Sequence, residues 1–414
     1  MAELSWQIVG VIVTIIGICI AAAIQLFIIP YFNDQRSIEL INSQMVLAQQ
    51  YENSQEYEKA IEIYSDLLRT TSKDHFPYEY ANIKLKIGKN YGLLSDFQNK
   101  EVNLIHSRDS LIDALTVFTI EKYPEDYAAT QQNLGVAYKQ LSEIRNQNEN
   151  NKKSIEAFNS ALRVIKSSTY PMVYATIECN LGLAYRNLGI EEQNNTYTQI
   201  AKESFKNALN IVSLSNNPEL YAQIQTNYGP ITGSFDQSLY SLNEASKVYT
   251  VESYPYEYAI LQQNIGGIYL MREPLLESDI EKSISAYNNA LKIFTIEKRP
   301  KDYAKIKRQI GIAYTNLALR KDKETNFDNA KKTFNESLHI RTITDYPLEY
   351  AMTQFDIAML YTYVGDVKNI ETDRETAEHA FEEALLVLTE RNYPVFYKNV
   401  ETGYQVYKSR INTN

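Results

Sequence analysis

The sequence predicts an all-α chain: one apolar N-terminal helix, then an α-solenoid of about eight helix pairs closed by a C-terminal capping helix. Three observations predict it. A proline–tyrosine register recurs along the chain, two apolar helix signatures are locked to that register, and an uncharged run stands near the start.

The uncharged run extends from Trp6 to Ile29. As a helix it would span about 36 Å at 1.5 Å per residue, enough to cross the roughly 30 Å hydrocarbon core of a bilayer with some tilt. Trp6 at one end, and Tyr31 with Phe32 at the other, stand where interfacial aromatics are favoured, and Pro30 is expected to stop the helix. A cleaved signal peptide would begin with a basic segment. Here the start carries Glu3 and no Lys or Arg, and the apolar run continues past Ala21 and Ala23. The expectation is an uncleaved single-pass anchor over residues 1–33, inserted through residues 6–29. Arg36, the nearest basic residue, tips the C-terminal bulk toward the cytoplasmic side.

The register is carried by prolines. Eight of the eleven precede a tyrosine by three residues: Pro77, Pro124, Pro171, Pro218, Pro255, Pro300, Pro347 and Pro394. Successive spacings are 47, 47, 47, 37, 45, 47 and 47 residues. Seven of the eight continue Tyr-Ala, as in Tyr127-Ala128 and Tyr303-Ala304. Ten residues after the proline comes Leu134-Gly135-x-Ala137-Tyr138, repeated as Leu181-Gly182-x-Ala184-Tyr185, Ile265-Gly266-x-Ile268-Tyr269 and Ile310-Gly311-x-Ala313-Tyr314. Apolar residues three and four apart mark one face of a helix, and the glycine admits a neighbouring helix. A second helix follows in each unit: Phe158-x-x-Ala161-Leu162, Phe205-x-x-Ala208-Leu209, Tyr287-x-x-Ala290-Leu291, Phe334-x-x-Ser337-Leu338 and Phe381-x-x-Ala384-Leu385. Polar stretches between the two, such as Arg145 to Lys153, read as loops by composition. The tyrosine after each proline reads as packing between repeats.

These three blocks resemble the tetratricopeptide repeat. The resemblance covers nearly everything after Asn33, and the long units with a Gln-Asn-Leu-Gly core also resemble the kinesin-light-chain-like subclass. It implies a right-handed superhelix over residues 34–414. Repeats would fall at approximately 37–74, 77–121, 124–168, 171–215, 218–252, 255–297, 300–344 and 347–391, with a capping helix at 394–411. The unit at 218–252 departs from the pattern. It reads Tyr228-Gly229-Pro230, so its first helix should end near Gly229, leaving either a decayed repeat that still packs or a hinge.

The resemblance implies that first helices line a concave groove holding an extended peptide or partner protein. The residue before Leu-Gly recurs as Asn133, Asn180, Asn227 and Asn264, interrupted by Lys86, Gln309 and Asp356. An amide both donates and accepts, which matches a peptide unit. These asparagines either meet a ligand backbone or bond to adjacent helices. Lys89, Gln132, Lys139, Arg186, Lys305 and Arg308 are further groove candidates, and their cations suit an acidic ligand. The family's two-carboxylate clamp is not recognisable, because Met45 and Gln49 stand where it needs Lys and Asn.

The function classes narrow accordingly. A net charge of −10 repels nucleic-acid phosphates. Cys19 and Cys179 have no ligand-like spacing, and His75, His106, His339 and His379 share no register. No nucleotide-binding, zinc-protease or hydrolase motif occurs. The expectation is therefore no enzyme, no cofactor and no metal, but a membrane-anchored scaffold for a protein or peptide. A structural component that self-associates, through Val395, Val400, Tyr404 and Tyr407 of the last helix, is the alternative. A regulatory subunit of an enzyme encoded elsewhere is a third reading.

Overall fold

The computed structural model describes residues 29–366 and 369–412. The described residues form seventeen α-helices and one short 3-10 turn, with no strand among them. The expected anchor lies outside the described residues up to Ile29. Among the described residues no helix is long and apolar enough to cross a membrane. The first described helix is α1 (Ile29–Asn53), and Pro30, expected to stop the anchor helix, lies at the edge of the described residues.

The chain packs as two compact units that divide after Ile211. The first contains the pairs α1 with α2 (Tyr57–Leu67), α3 (Pro77–Leu94) with α4 (Lys100–Ala114), α5 (Pro124–Ser142) with α6 (Gln147–Leu162), and α7 (Pro171–Glu191) with α8 (Asn195–Leu209). The second contains α9 (Pro218–Tyr228) with α10 (Phe235–Ser246), α11 (Pro255–Leu270) with α12 (Glu277–Leu291), α13 (Pro300–Ala318) with α14 (Lys323–Leu338), and α15 (Pro347–Tyr363) with α16 (Glu371–Val387). It ends on α17 (Pro394–Asn412).

Every register proline opens a helix. Its fixed φ suits the first helical position, and it drives the preceding residue out of the helical region. Tyr123, for instance, has φ −140°. A second device, absent from the sequence reading, closes the preceding loop. At six of the eight prolines a Ser or Thr five residues earlier accepts a bond from the backbone N–H three residues on. His75 N–H donates to Ser72 at 3.2 Å, Lys122 N–H to Thr119 at 3.3 Å, and Asp345 N–H to Thr342 at 3.1 Å.

Within a pair the glycine decides how closely the helices meet. A Cβ placed on Gly135 would stand 2.6 Å from the Phe158 ring, one on Gly182 2.8 Å from Phe205, and one on Gly266 2.7 Å from Tyr287. Only a bare Cα lets the ring lie across the backbone. Hydroxyls reinforce the crossing: Ser154 Oγ donates to Gly135 O and Ser283 Oγ to Gly266 O, both at 2.8 Å. Between pairs the core is shared. Phe158, Ala161 and Ile165 at the end of one repeat pack with Ile177, Leu181 and Leu188 of the next. No single pair could bury its apolar face alone.

The register tyrosines do two things. Tyr127 packs on Ala81, Ala114, Val117 and Phe118 of the preceding repeat, the expected packing between repeats. Hydroxyls also tie the two helices of one repeat: Tyr80 OH donates to Asp113 at 2.7 Å, Tyr221 OH to Glu244 at 3.0 Å and Tyr350 OH to Glu383 at 2.6 Å. Each hydroxyl is half-buried and needs a partner. A carboxylate on the paired helix supplies it.

The stretch Arg145 to Lys153 is also not a loop. Its connection is confined to residues 143–146, and helix α6 begins at Gln147. Asn146 adopts a left-handed φ of 48°, and Asn150 Nδ2 donates back to Arg145 O at 2.8 Å. The same turn recurs with Asn99 and Asn103 (2.7 Å to Gln98 O) and with Asp322 and Asn326 (2.8 Å to Lys321 O). The extra length of these repeats therefore does not sit between the paired helices; their second helices run to 15 or 16 residues, against 11 in α2.

The atypical unit still packs. Helix α9 ends at Tyr228, and Gly229–Ile231 continues as a 3-10 turn, close to the expected stop. Gly229 meets Leu242 as its counterparts meet their rings, and Ala222, Leu242, Ala245 and Tyr249 share a core with Leu261 and Ile268. At the C-terminal end, Val400 and Tyr407 are buried against α15 and α16, while Val395 stays exposed. Those side chains serve the cap.

Candidate functional site

In each unit successive first helices touch one another: α1 with α3, α3 with α5 and α5 with α7 in the first, and α11 with α13 and α13 with α15 in the second. Successive second helices make no comparable contact. The first helices therefore form the inner row of each unit, and all the expected groove residues lie on them.

The position nine residues after each proline is half-buried at Asn133, Asn180, Asn227 and Asn264. Asn133, Asn180 and Asn227 each donate Nδ2 to the carbonyl four residues back, at 2.8, 3.1 and 2.8 Å. Asn180 Oδ1 also accepts from Lys139 Nζ on the preceding first helix at 2.8 Å. Asn264 Nδ2 instead reaches Thr226 O on α9 at 3.2 Å. Lys86, at the same register position, reaches Gln49 Oε1 on α1 at 2.9 Å, and Asp356 is ion-paired to Arg308 of α13. One use of the ladder is thus to pin each first helix to its neighbour.

Two of the asparagines also border open space. Asn133 helps line a cleft of about 180 Å³ between α3 and α5, with Lys89, Asp96, Ser107 and Gln140. Asn227 lines a larger cleft of about 290 Å³ between α9 and α11. The walls of the latter are Glu219, Gln223 and Thr226 from α9, Tyr249 from the loop after α10, and Tyr256, Glu257 and Ile260 from α11. Tyr249 is buried and donates its hydroxyl to Glu219 O at 3.3 Å.

The expected cations separate by environment. Lys89 pairs with Glu52 of α1 at 3.0 Å, a carboxylate that also accepts from Asn90 at 3.1 Å. Lys305 is exposed, Gln132 is half-buried, and Arg308 with Asp356 forms a half-buried pair on α13 and α15. Lys139 and Arg186, on successive first helices, flank the buried thiol of Cys179. Burial lowers the pKa of both cations, and it pushes the Cys179 thiol up to about 12, so that sulfur stays protonated. Glu143, one turn further along from Lys139, is the carboxylate that acts on this lysine.

Sequence reasoning missed the cleft residues Glu219, Gln223, Tyr249, Tyr256 and Glu257. The available signal was positional. Four of them stand one, two or five residues after a register proline, on the turns that precede the asparagine. Among the described residues no group of three His, Cys, Asp or Glu side chains could hold a metal ion.

No protein-family model matches the chain, and no curated protein matches it. Solved structures do. The C-terminal part of a TPR repeat-containing protein from Cytophaga hutchinsonii is 13% identical over 75% of this chain and 97% of its own, with a TM-score of 0.39. A Rap protein complexed with competence and sporulation factor is 12% identical over 90% of this chain and 99% of its own, with a TM-score of 0.49. The Cut9–Hcn1 hetero-tetramer of APC/C matches at 14% identity, over 90% of this chain and 76% of the other, with a TM-score of 0.46. The helix-pair array itself stands on the geometry described above.

Proposed function

We propose that this chain is a membrane-anchored scaffold that holds an extended segment of a partner protein along the first helices of its repeats. The carrying observation is the cleft between α9 and α11, where an asparagine of the ladder, a second amide and two tyrosines line one concavity on the inner row. Amides suit a peptide backbone because they offer donor and acceptor together. Clefts between helices are a preferred location for ligands. The Rap protein's match with a bound factor is consistent with such a role. The kinesin-light-chain-like likeness, resting on the Gln-Asn-Leu-Gly core, belongs to the same reading.

The anchor part rests on the uncharged residues 6–29, and Arg36 favours the repeats on the cytoplasmic side. Protease protection of intact membranes, with a tag at Asn414, tests it. Digestion of the repeats from the non-cytoplasmic face would reverse the orientation. Release of the chain by a carbonate wash would remove the anchor.

Capture of a partner by the full chain tests the scaffold. With Asn133, Asn180 and Asn264 changed together to Ala, the partner should be lost while the helical circular dichroism persists. Undiminished capture would end the groove reading. Self-association is the second reading, favoured by the exposed Leu40 and Val46 of α1. A strictly monomeric chain in detergent at high concentration would exclude it.

A further inference from the structure

We propose that the cleft between α9 and α11 receives one cationic side chain, an arginine or lysine, from the segment bound along the inner row. This rests on the scaffold reading and adds the chemistry of one ligand position.

Size comes first. Pockets for drug-sized ligands run from about 300 to 1,000 Å³, and the cleft of about 290 Å³, at the small end of that scale, has room for a long side chain. Charge comes second. Glu219 and Glu257 both line it, one from each helix, and no lysine or arginine does. Glu219 is exposed and Glu257 half-buried, and neither carboxylate side chain has an ion-pair or hydrogen-bond partner among the described residues. The amide of Gln223 between them is likewise unbonded there.

The walls come third. Tyr249, Tyr256 and Ile260 give apolar surface to the stem of a lysine or arginine, which packs its methylenes while its head reaches for charge. Tyr256 already accepts a guanidinium, since Arg299 lies 4.5 Å from its ring centroid. A ring quadrupole attracts cations in this way.

The cleft is also fixed before any ligand arrives. The Asn264–Thr226 bond pins α11 to α9 at its floor, and Tyr249 is bonded to the Glu219 carbonyl. Little ordering remains to oppose binding. A bidentate guanidinium–carboxylate contact would be the strongest use of the two glutamates, so arginine is favoured over lysine.

The test uses the full chain in detergent at fixed ionic strength, with four fluorescent peptides of sequence Ser-Gly-X-Gly-Ser in which X is arginine, lysine, citrulline or leucine. The arginine peptide should bind at least tenfold more tightly than the citrulline peptide, its neutral near-isostere, and somewhat more tightly than lysine. The double variant Glu219→Gln, Glu257→Gln should lose that preference while citrulline binding and the circular dichroism stay unchanged. Equal affinity for arginine and citrulline, retention of the arginine preference in the double variant, or tightest binding of leucine would each overturn the proposal. Failure here is separable from failure of the scaffold reading. If the double variant still captures the partner through the inner row, only the cationic position falls. If no partner is captured at all, the peptide titration still decides what the cleft prefers.

Discussion

Asn151, on α6, is fully buried, and neither its amide nitrogen nor its oxygen meets a hydrogen-bond partner. It stands seven residues before Phe158. The equivalent positions hold Leu104, Phe235, Ile280 and Phe327 in four other repeats, and Thr198 and Arg374 in two more; Leu104 and Ile280 are fully buried. An unsatisfied buried polar group costs about 1–3 kcal/mol. Asn151→Leu should therefore raise stability by about 1–2 kcal/mol in urea unfolding, and a lower midpoint would show that the amide has a partner. Lys139 gives a second residue-scale prediction. The groups acting on it are Cys179, Glu143 and Arg186, and burial holds its pKa below 10.5. Between that lowered value and 10.5 the unfolded chain binds more protons than the folded one, so this lysine makes stability rise with pH across the window. Cys179 works in the opposite sense: folding pushes its thiol from 9.0 up to about 12, so it makes stability fall over that range. In a Cys179→Ala background, Lys139→Met should therefore flatten the rise with pH, and an unchanged slope would contradict the lowered lysine pKa. The asparagine ladder was legible as residues on one face, because spacing alone fixes that. Which amides are bonded across to a neighbouring helix was not legible, because Lys139 meets Asn180, and Asn264 meets Thr226, only once two repeats are stacked.

At the scale of the element, the glycine–ring crossing is the sharpest constraint. Gly135→Ala gains up to about 1 kcal/mol in helix propensity but forces a Cβ to within 2.6 Å of Phe158. Overpacking costs about 1–3 kcal/mol, so with that gain subtracted a net loss of up to about 2 kcal/mol is expected. Gly92→Ala is the control, because its nearest neighbour would be Ser107 Oγ at 3.4 Å, and it should be neutral or stabilising. Thermal unfolding of the pair checks both, and equal effects would remove the crossing argument. The turn before α6 makes a further prediction. Asn150→Ala removes the bond to Arg145 O and should cost about 1 kcal/mol. That turn explains why Arg145 to Lys153 reads as a loop. Its polar residues, Asn150, Asn151 and Ser154, are buried or bonded within a helix, and composition carries no sign of this. The proline starts, the glycine crossing and the early stop at Tyr228 were legible, because proline and glycine act through the local backbone. The tyrosine hydroxyls were not, since their carboxylate partners lie 23 to 33 residues away.

At the scale of the molecule, a repeat array gives each pair only its neighbours to pack against. The division after Ile211 falls in the connection that precedes the shortened repeat, and the proline register alone does not mark it. Within each unit the two rows do different work. Second helices and glycine crossings hold the stack, and first helices present amides, cations and the α9–α11 cleft. Hydrogen exchange of the full chain, alone and with its captured partner, tests that assignment most directly. New protection should fall on the first helices, above all on α9 and α11 around Asn227 and Glu257, with the second helices unchanged. Protection confined to second helices such as α6 and α14, or to the loops between pairs, would contradict it.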